Sequence, residues 1–210
     1  MVMPPPARNW TGCYIGGGFG YGMWNQEITA VSGSSAKVTA GGRGYLGTAQ
    51  FGCDYQAGNF VVGAFGDGDF GSLKGNVGFG SVYGEEKEKW SWAAGARVGY
   101  LVTPQLLGFF SAGYTQAHFD QVNLLLLAAP GVSAGLYVPQ TTYSGWFLGS
   151  GYEYGISWWP GLFWKTEYRF SDFGSERIQF LNTGTGTPSG AALDSHKYIQ
   201  TIRSELVWRF

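Results

Sequence analysis

The last thirteen residues, Tyr198–Phe210, alternate between two kinds of side chain. One set is mostly apolar or aromatic, whereas the other set includes Arg203, Glu205 and Arg209. Because successive side chains of a strand point to opposite faces, this pattern predicts a strand with one apolar face and one charged face. Such a strand either packs its apolar face on a soluble core or turns that face toward the lipid around an outer-membrane barrel.

The composition favours strands over helices. Aromatic residues make up 18% of the chain, and 36 of its 210 residues are Gly, which is unfavourable in helices. The longest apolar run, Leu124–Ala129, is far shorter than the roughly 20 residues of a transmembrane helix. The 13 basic and 14 acidic residues nearly balance, so the sequence lacks the basic signature of a nucleic-acid-binding protein.

Alternating segments recur eight times along the chain. They cover residues 9–25, 43–56, 60–70, 90–101, 106–119, 141–155, 162–173 and 198–210. Short turns follow the second, fourth and sixth segments, and longer stretches that we interpret as loops cover 27–42, 72–87, 120–140 and 174–194. This arrangement predicts an all-β fold: an eight-stranded antiparallel up-and-down transmembrane β-barrel with short periplasmic turns and long extracellular loops.

The predicted barrel is one domain, residues 9–210, with both termini in the periplasm of a bacterial outer membrane. Residues 1–8 are a Pro-rich lead without the apolar core of a signal peptide, so an exported protein would be represented here in its mature form. Glycines crowd the inward-facing positions of the first segment, where they are expected to make room for long side chains from the opposite wall.

Charged residues in the segments lie on the face opposite the aromatic residues. A soluble lipocalin-like barrel would have an apolar interior, so this pattern argues against it. An eight-stranded barrel is just wide enough for its side chains to fill, and an unpaired buried charge is costly. We therefore expect these charges to pair and to close the lumen; a narrow conducting pore is the alternative. The lumen set is Asp54, Asp67, Asp69, Arg97, Glu153, Lys165, Glu167, Arg169, Arg203 and Glu205.

No nucleophile or metal-ligand set accompanies these carboxylates, so we expect neither catalysis nor a cofactor. His118 and His196 lie near the outer ends of two segments. They could bind haem or a metal at the rim, although a lone rim histidine is more often only solvated.

Cys13 and Cys53 are both predicted on the lipid face, near the periplasmic ends of neighbouring strands. Pairing residue 13 with residue 53 centres the hairpin near residue 33 and preserves the alternation of faces. In an oxidising compartment these cysteines form either a cross-strand disulfide or two free thiols packed against lipid.

The connection between residues 123 and 139 is too apolar for a freely solvated loop. Its apolar side chains include Leu124, Leu125, Leu126, Leu127, Leu136 and Tyr137. Either the strands extend beyond the membrane and pair there, or this patch binds a second copy, another membrane protein or the acyl chains of lipopolysaccharide.

Several motifs resemble one family, the small outer-membrane β-barrel surface proteins of alphaproteobacteria, also called outer-membrane immunogenic or porin-like surface antigens. The motifs are NWTGCYIGG from Asn9, GTAQFG from Gly47, ARVGY from Ala96, GWFLGSGYEY from Gly145, KTEY from Lys165 and the terminal LVWRF from Leu206. Cys13, Cys53 and Phe65 depart from the family pattern.

The resemblance implies an eight-stranded barrel in the asymmetric outer membrane of a Gram-negative bacterium. It also implies assembly by the barrel-insertion machinery, which would read Leu206, Trp208 and Phe210 as the terminal signal. Three functional hypotheses follow: a non-catalytic protein of envelope structure and surface or partner interaction, a weak porin for ions or very small solutes, and a haemin-binding surface receptor.

Overall fold

Strands account for most of the chain that the structure describes, which is residues 9–30 and 37–210 of a computed structural model. The ten strands are β1 Gly12–Ala30, β2 Lys37–Ala57, β3 Phe60–Phe79, β4 Val82–Thr103, β5 Leu106–Phe119, β6 Val122–Leu126, β7 Ser133–Val138, β8 Thr141–Gly155, β9 Leu162–Asn182 and β10 Pro188–Arg209. The described residues contain no helix of the length and hydropathy needed to cross a membrane. The N-terminal lead predicted for residues 1–8 lies outside the described residues.

Antiparallel pairing joins eight of these strands into a closed ring, in the order β1–β2–β3–β4–β5–β8–β9–β10 and back to β1. The closing pair runs from Tyr14 opposite Arg209 to Ala30 opposite Leu193 without a shift of register. The ring therefore has no free strand edge at this seam, which protects the strand from pairing with other chains.

The prediction of four long loops between the strands is wrong. The segments 27–42, 72–87 and 174–194 are largely strand, because β1 continues to Ala30, β3 to Phe79 and β9 to Asn182. β3 and β4 are joined by a turn at residues 80–81. Residues 31–36, in the middle of the first predicted loop, lie outside the described residues.

The apolar connection 120–140 also folds into strands. β6 and β7 pair with each other. At the end of the ring away from the short turns, where β5 and β8 have ended, β6 pairs with β4 and β7 pairs with β9. Leu125 lies opposite Tyr83, and Tyr137 lies opposite Leu181. The structure thus contains the first of the two predicted alternatives for this segment, strands that extend and pair.

The two faces of the long strands exchange polarity partway along. Near the short turns, Phe51 and Tyr55 of β2 point outward and are exposed, while Asp54 is buried. Near the other end, Glu27 of β1 points outward and Trp24 and Ile28 are buried.

The alternation of two residues continues along β1, β3 and β10. It shifts by one residue in β4 between Glu88 and Ala93, and in β9 between Phe173 and Ile178. Toward the end of the strands away from the short turns, the large apolar side chains lie mostly inside. The sequence pattern predicts strands only where aromatic residues lie outside, so it does not predict the parts of the strands far from the short turns.

The interior has three layers as a result. Next to the short turns lies an aromatic cluster around Trp10, Tyr14 and Phe163, and charged side chains fill the middle. The far end is a larger apolar core, which contains Trp24, Ile28, Leu46, Leu73, Val77, Phe119, Leu124, Tyr143, Phe173, Ile178, Phe180 and Ile199.

Two glycines of β1 give space to side chains of neighbouring strands. A Cβ atom at Gly20 would lie 2.9 Å from the Cδ1 atom of Leu46 and 3.0 Å from the Cγ atom of Arg203. At Gly22 it would lie 2.6 Å from the Cδ2 atom of Leu73. At these positions the space is filled from β2, β3 and β10, two of which are direct neighbours of β1, whereas the sequence had suggested side chains from the opposite wall.

Candidate functional site

All ten charged residues predicted for the lumen lie on the inner face of the ring and are at most 8% exposed. Four further charged residues are buried with them: Glu86, Glu88, Lys197 and Arg209. All of these charges except Glu88 form an ion pair with another member of the group. We call these fourteen residues the ion network.

The layer of the ion network nearest the short turns contains two arginines and two carboxylates. Arg97 pairs with Asp54 and, at 3.0 Å, with Glu153. Arg209 pairs with Asp54 at 2.7 Å and with Glu153 at 2.8 Å. Each guanidinium therefore contacts both carboxylates, and the four side chains form a closed, electrically balanced square. Charge-assisted bonds of this kind are among the strongest hydrogen bonds in proteins.

Arg203 is the centre of the next layer. Its guanidinium lies 2.8 Å from the Glu167 carboxylate, 3.1 Å from Asp67 and 3.2 Å from Asp69. Arg169 reaches Asp67 from another strand through two hydrogen bonds, of 2.9 and 2.6 Å. These contacts connect β9 and β10 to β3, which does not pair with either strand.

Lys165 extends the same layer along β9. It donates a hydrogen bond of 2.9 Å to the side chain of Gln50 and pairs with Glu167, also at 2.9 Å. Glu205 lies 3.7 Å from Lys165. The layer holds four carboxylates and three cations, so its formal charge is negative.

Lys197 occupies the apolar end of the interior, where it pairs with Glu86. Its ammonium lies 3.6 Å from the ring centroid of Phe119 and 4.7 Å from that of Tyr143, distances at which a cation is attracted to an aromatic face. Neither residue is among the predicted lumen charges, because Glu86 lies in a segment interpreted as a loop and Lys197 lies just before the last predicted strand. The sequence feature that indicates their burial is that Glu86 and Lys197 each lie between two neighbours that point outward.

Trp10 closes the interior at the end with the short turns. Its indole is fully buried and packs on Phe163 with the ring centroids 4.8 Å apart. Its carbonyl accepts a hydrogen bond of 3.1 Å from Arg209, and its indole NH donates one of 3.4 Å to the carbonyl of Pro104. Sequence reasoning assigned no role to Trp10, because nothing local distinguishes it from a residue facing lipid.

Little empty space remains among the charges. A cavity beside Asp67, Asp69, Arg169 and Thr201 has a volume of about 10 Å³, which is about the space of one water molecule. The described residues contain no group of three or more His, Cys, Asp or Glu that could hold a metal ion. The described charges contact one another, and the cavity between them has no room for a solute larger than water.

The two histidines are held separately on the outer face. His118 stacks on Trp90, and His196 lies 2.8 Å from Asp172. In the ring, β8 and β9 stand between the strands that carry them. The structure therefore does not bring the two imidazoles together as a shared ligand pair.

The predicted assembly signal and the apolar connection have different environments. Leu206, Trp208 and Phe210 all point outward and are exposed. Of the six residues proposed for a partner patch, Leu124 is buried in the apolar core, whereas Leu127 is exposed. The remaining four, Leu125, Leu126, Leu136 and Tyr137, are half-buried.

A disulfide joins Cys13 and Cys53, which lie directly opposite each other on β1 and β2. The bond is on the outer face near the short turns, beside the end of the chain, where the backbone NH of Phe210 donates a hydrogen bond of 3.0 Å to the carbonyl of Cys13. The disulfide therefore ties the strand that closes the ring to its next neighbour.

Replacing Arg203 should strongly destabilise the fold. An Arg203→Met variant leaves four buried carboxylates short of a cation, and breaking a buried ion pair typically costs about 3–5 kcal/mol. Arg177→Met is the control, because its pair with Asp194 is exposed and should contribute at most about 1 kcal/mol. Urea unfolding in lipid vesicles, followed by tryptophan fluorescence, measures both losses. Equal losses would contradict the role of the ion network.

Removing the disulfide should lower stability without changing the fold. The bond closes a sequence separation of 40 residues, and a Cys13→Ala, Cys53→Ala variant should lose about 2–4 kcal/mol of unfolding free energy. Mass mapping of a non-reducing digest checks the bond in the parent protein. Recovery of two separately alkylated cysteines from oxidised protein would contradict it.

Comparisons with known proteins agree with the fold. No family model matches the chain. It is 28% identical over 221 aligned positions to the 31 kDa outer-membrane immunogenic proteins of Brucella melitensis biotype 1 and Brucella suis biovar 1, an alignment that covers 99% of this chain and 86% of each relative.

Among solved structures, the outer membrane protein OprG from Pseudomonas aeruginosa superposes with a TM-score of 0.55 and 11% identity, covering 96% of this chain and 98% of OprG. The outer membrane protease OmpT from Escherichia coli reaches a TM-score of 0.46 with 10% identity, covering 100% and 99% of the two chains. The resemblance predicted from the motifs is confirmed: the chain is similar over almost its whole length to outer-membrane immunogenic proteins, and its antiparallel all-β fold resembles that of an outer-membrane β-barrel protein.

Proposed function

We propose that this chain is a non-catalytic protein of the bacterial outer membrane, in which the eight-strand ring is a transmembrane β-barrel closed by the ion network. The observation that carries the proposal is the set of ion pairs across the interior, where the cavity beside Asp67 and Arg169 has room for about one water molecule. The protein then acts in envelope structure and in surface or partner interaction through the parts that project beyond the membrane.

The distribution of outer side chains supports the membrane position. On β2, β3, β4 and β10, the stretches 45–55, 60–70, 90–100 and 200–210 each span eleven residues, and every charged side chain within them is buried. Tilted strands of about 9–11 residues cross the hydrocarbon core of a bilayer. Among the described residues, the charges that point outward all lie beyond these stretches, toward the long ends of the strands.

The orientation follows from the lengths of the two ends. Short turns are typical of the periplasmic rim of outer-membrane barrels, and long projections are typical of the outside. We therefore assign both termini to the periplasm and the extension that contains β6 and β7 to the cell surface. Surface partners would meet Leu127 and Val132, which are exposed near the tip of that hairpin.

The proposed partners are the lipid and lipopolysaccharide of the membrane, the barrel-insertion machinery, and a second copy or another membrane protein at the hairpin tip. The porin alternative requires an aqueous path through a layer that is filled by paired side chains. The haemin alternative requires ligation by His118 and His196, which lie on strands that do not pair with each other. No feature of the described residues favours either alternative over a closed barrel.

The protein should show no steady conductance in planar lipid bilayers. A double variant Asp67→Ala, Arg169→Ala removes one buried ion pair and its volume without changing the net charge, so it should open a path and conduct ions. Heat-modifiable mobility on gels verifies that both proteins are folded. A steady conductance of the parent protein that disappears in Arg97→Gln or Glu153→Gln would favour the porin instead.

Deletion of Phe210 should impair membrane assembly in cells more than folding in vitro. The side chain is 69% exposed and adds little to packing, whereas the insertion machinery would read it as a terminal signal. Phe60→Ala is the control, because it removes an aromatic ring of 57% exposure from the rim with the short turns. The readouts are the outer-membrane fraction in cells and the refolding yield in detergent. Normal insertion of the deletion variant would refute this role.

A further inference from the structure

The outward-pointing charges are divided unevenly around the ring. Among the described residues, six cations and six acids point outward, all beyond the membrane-spanning stretches. Five of the cations lie on β2, β3 and β4, together with a single acid, Glu85. The other acids lie on β1, β9 and β10 or just after β5. The cations on β2–β4 are Lys37, Arg43, Lys74, Lys87 and Lys89.

Strand register places three of these cations side by side. Arg43 of β2 lies opposite Lys74 of β3, and Lys74 lies opposite Lys87 of β4. Neighbouring residues across a ladder are about 5 Å apart, so the three cations form a row about 10 Å long. We call Arg43, Lys74 and Lys87 the basic row.

The basic row stands just above the outermost aromatic side chains of the membrane-spanning stretches. Arg43 is two residues from Tyr45, Lys74 is four from Phe70 and Lys87 is three from Trp90. Aromatic side chains of outer-membrane barrels mark the interface between hydrocarbon and polar headgroups. The row is therefore at the level of the headgroups of the outer leaflet.

The described residues neutralise only one of the three positive charges of the row. Lys74 pairs with Glu85 at 3.3 Å, but neither Arg43 nor Lys87 forms an ion pair with a described residue. The acids elsewhere on the outer face are mostly paired. Glu27 lies 3.8 Å from Lys37, Asp194 3.1 Å from Arg177 and Asp172 2.8 Å from His196.

We infer that the basic row binds the phosphate groups of lipopolysaccharide in the outer leaflet. The inference rests on the proposed transmembrane position. A phosphate takes bidentate hydrogen bonds from arginine and point-charge contacts from lysine, and anionic headgroups attract basic residues at the membrane surface. A second copy is a weaker fit, since most of the acids on its outer face already contact a basic side chain of the same chain.

The test compares two double variants that each remove two outer cations. Arg43→Gln, Lys87→Gln removes the unpaired members of the row, whereas Lys37→Gln, Arg177→Gln removes two paired cations elsewhere and leaves the same net charge. Protein folded in zwitterionic detergent is titrated with diphosphoryl lipid A, and with lipid A from which both phosphates have been removed. Native mass spectrometry measures the bound fraction at each concentration.

The row variant should bind diphosphoryl lipid A about thirtyfold more weakly than the parent protein, and the control variant should stay within about threefold. The parent protein should lose a similar factor on the dephosphorylated lipid. Equal weakening in both variants, or no preference for the phosphorylated lipid, would overturn the inference. So would unchanged lipid binding together with loss of a dimer in the row variant, which would assign the row to a second copy.

Failure of the proposed function would look different. If the parent protein does not insert into lipid vesicles, measured by protease protection of its strands, then the transmembrane assignment is wrong. If it inserts normally and the two variants bind lipid A equally well, only the inference about the basic row is wrong.

Discussion

The cross-section of this structure depends on ion pairs that reach across the interior of the ring. Backbone hydrogen bonds connect each strand only to its neighbours, so they determine the circumference and the register of the wall. The contacts from Arg203 and Arg169 to Asp67 join β10 and β9 to β3, and the contacts of Arg97 join β4 to β2 and β8. Removing one cation therefore exposes several carboxylates to an uncompensated environment at once.

A charged interior is expensive to build, since desolvating an ion costs several kcal/mol even after the structure relaxes. An apolar interior would avoid this cost, but strands that face lipid would then be apolar on both sides. Such segments aggregate readily while they are unpaired. Alternating aromatic and charged residues keep each strand amphipathic until the ring closes. The ion pairs form only when all the strands have assembled.

The sequence predicted the part of the structure in which two-residue alternation and aromatic residues coincide. The order and faces of the membrane-spanning stretches follow from that pattern, as do the positions of the ten charges and the register of Cys13 with Cys53. It did not predict the upper halves of the strands, where Ile28 and Ile178 are buried and Glu27 and Arg177 face outward. The alternation continues in β1 and shifts by one residue in β9, and under the proposed membrane position water replaces lipid outside. Trp10 was missed for another reason, since its burial depends on Phe163 and Arg209, which are far away in the sequence.

The exchange of polarity also explains why the outer charges of the described residues are confined to one end of the ring. A charged side chain facing hydrocarbon costs about 2–4 kcal/mol at the membrane midplane and little near the interface, so outward charges are tolerated only beyond the aromatic side chains. Beyond that level the outer face is free to vary, and here the cations collect on β2–β4 while most acids lie elsewhere. The ion network holds eight carboxylates and six cations, so its formal charge is slightly negative. On the outer face, by contrast, Arg43 and Lys87 are cations that form no ion pair with a described residue. The unpaired cations of the described structure are thus on its outer surface, where the proposed transmembrane position puts the polar headgroups of the surrounding lipid.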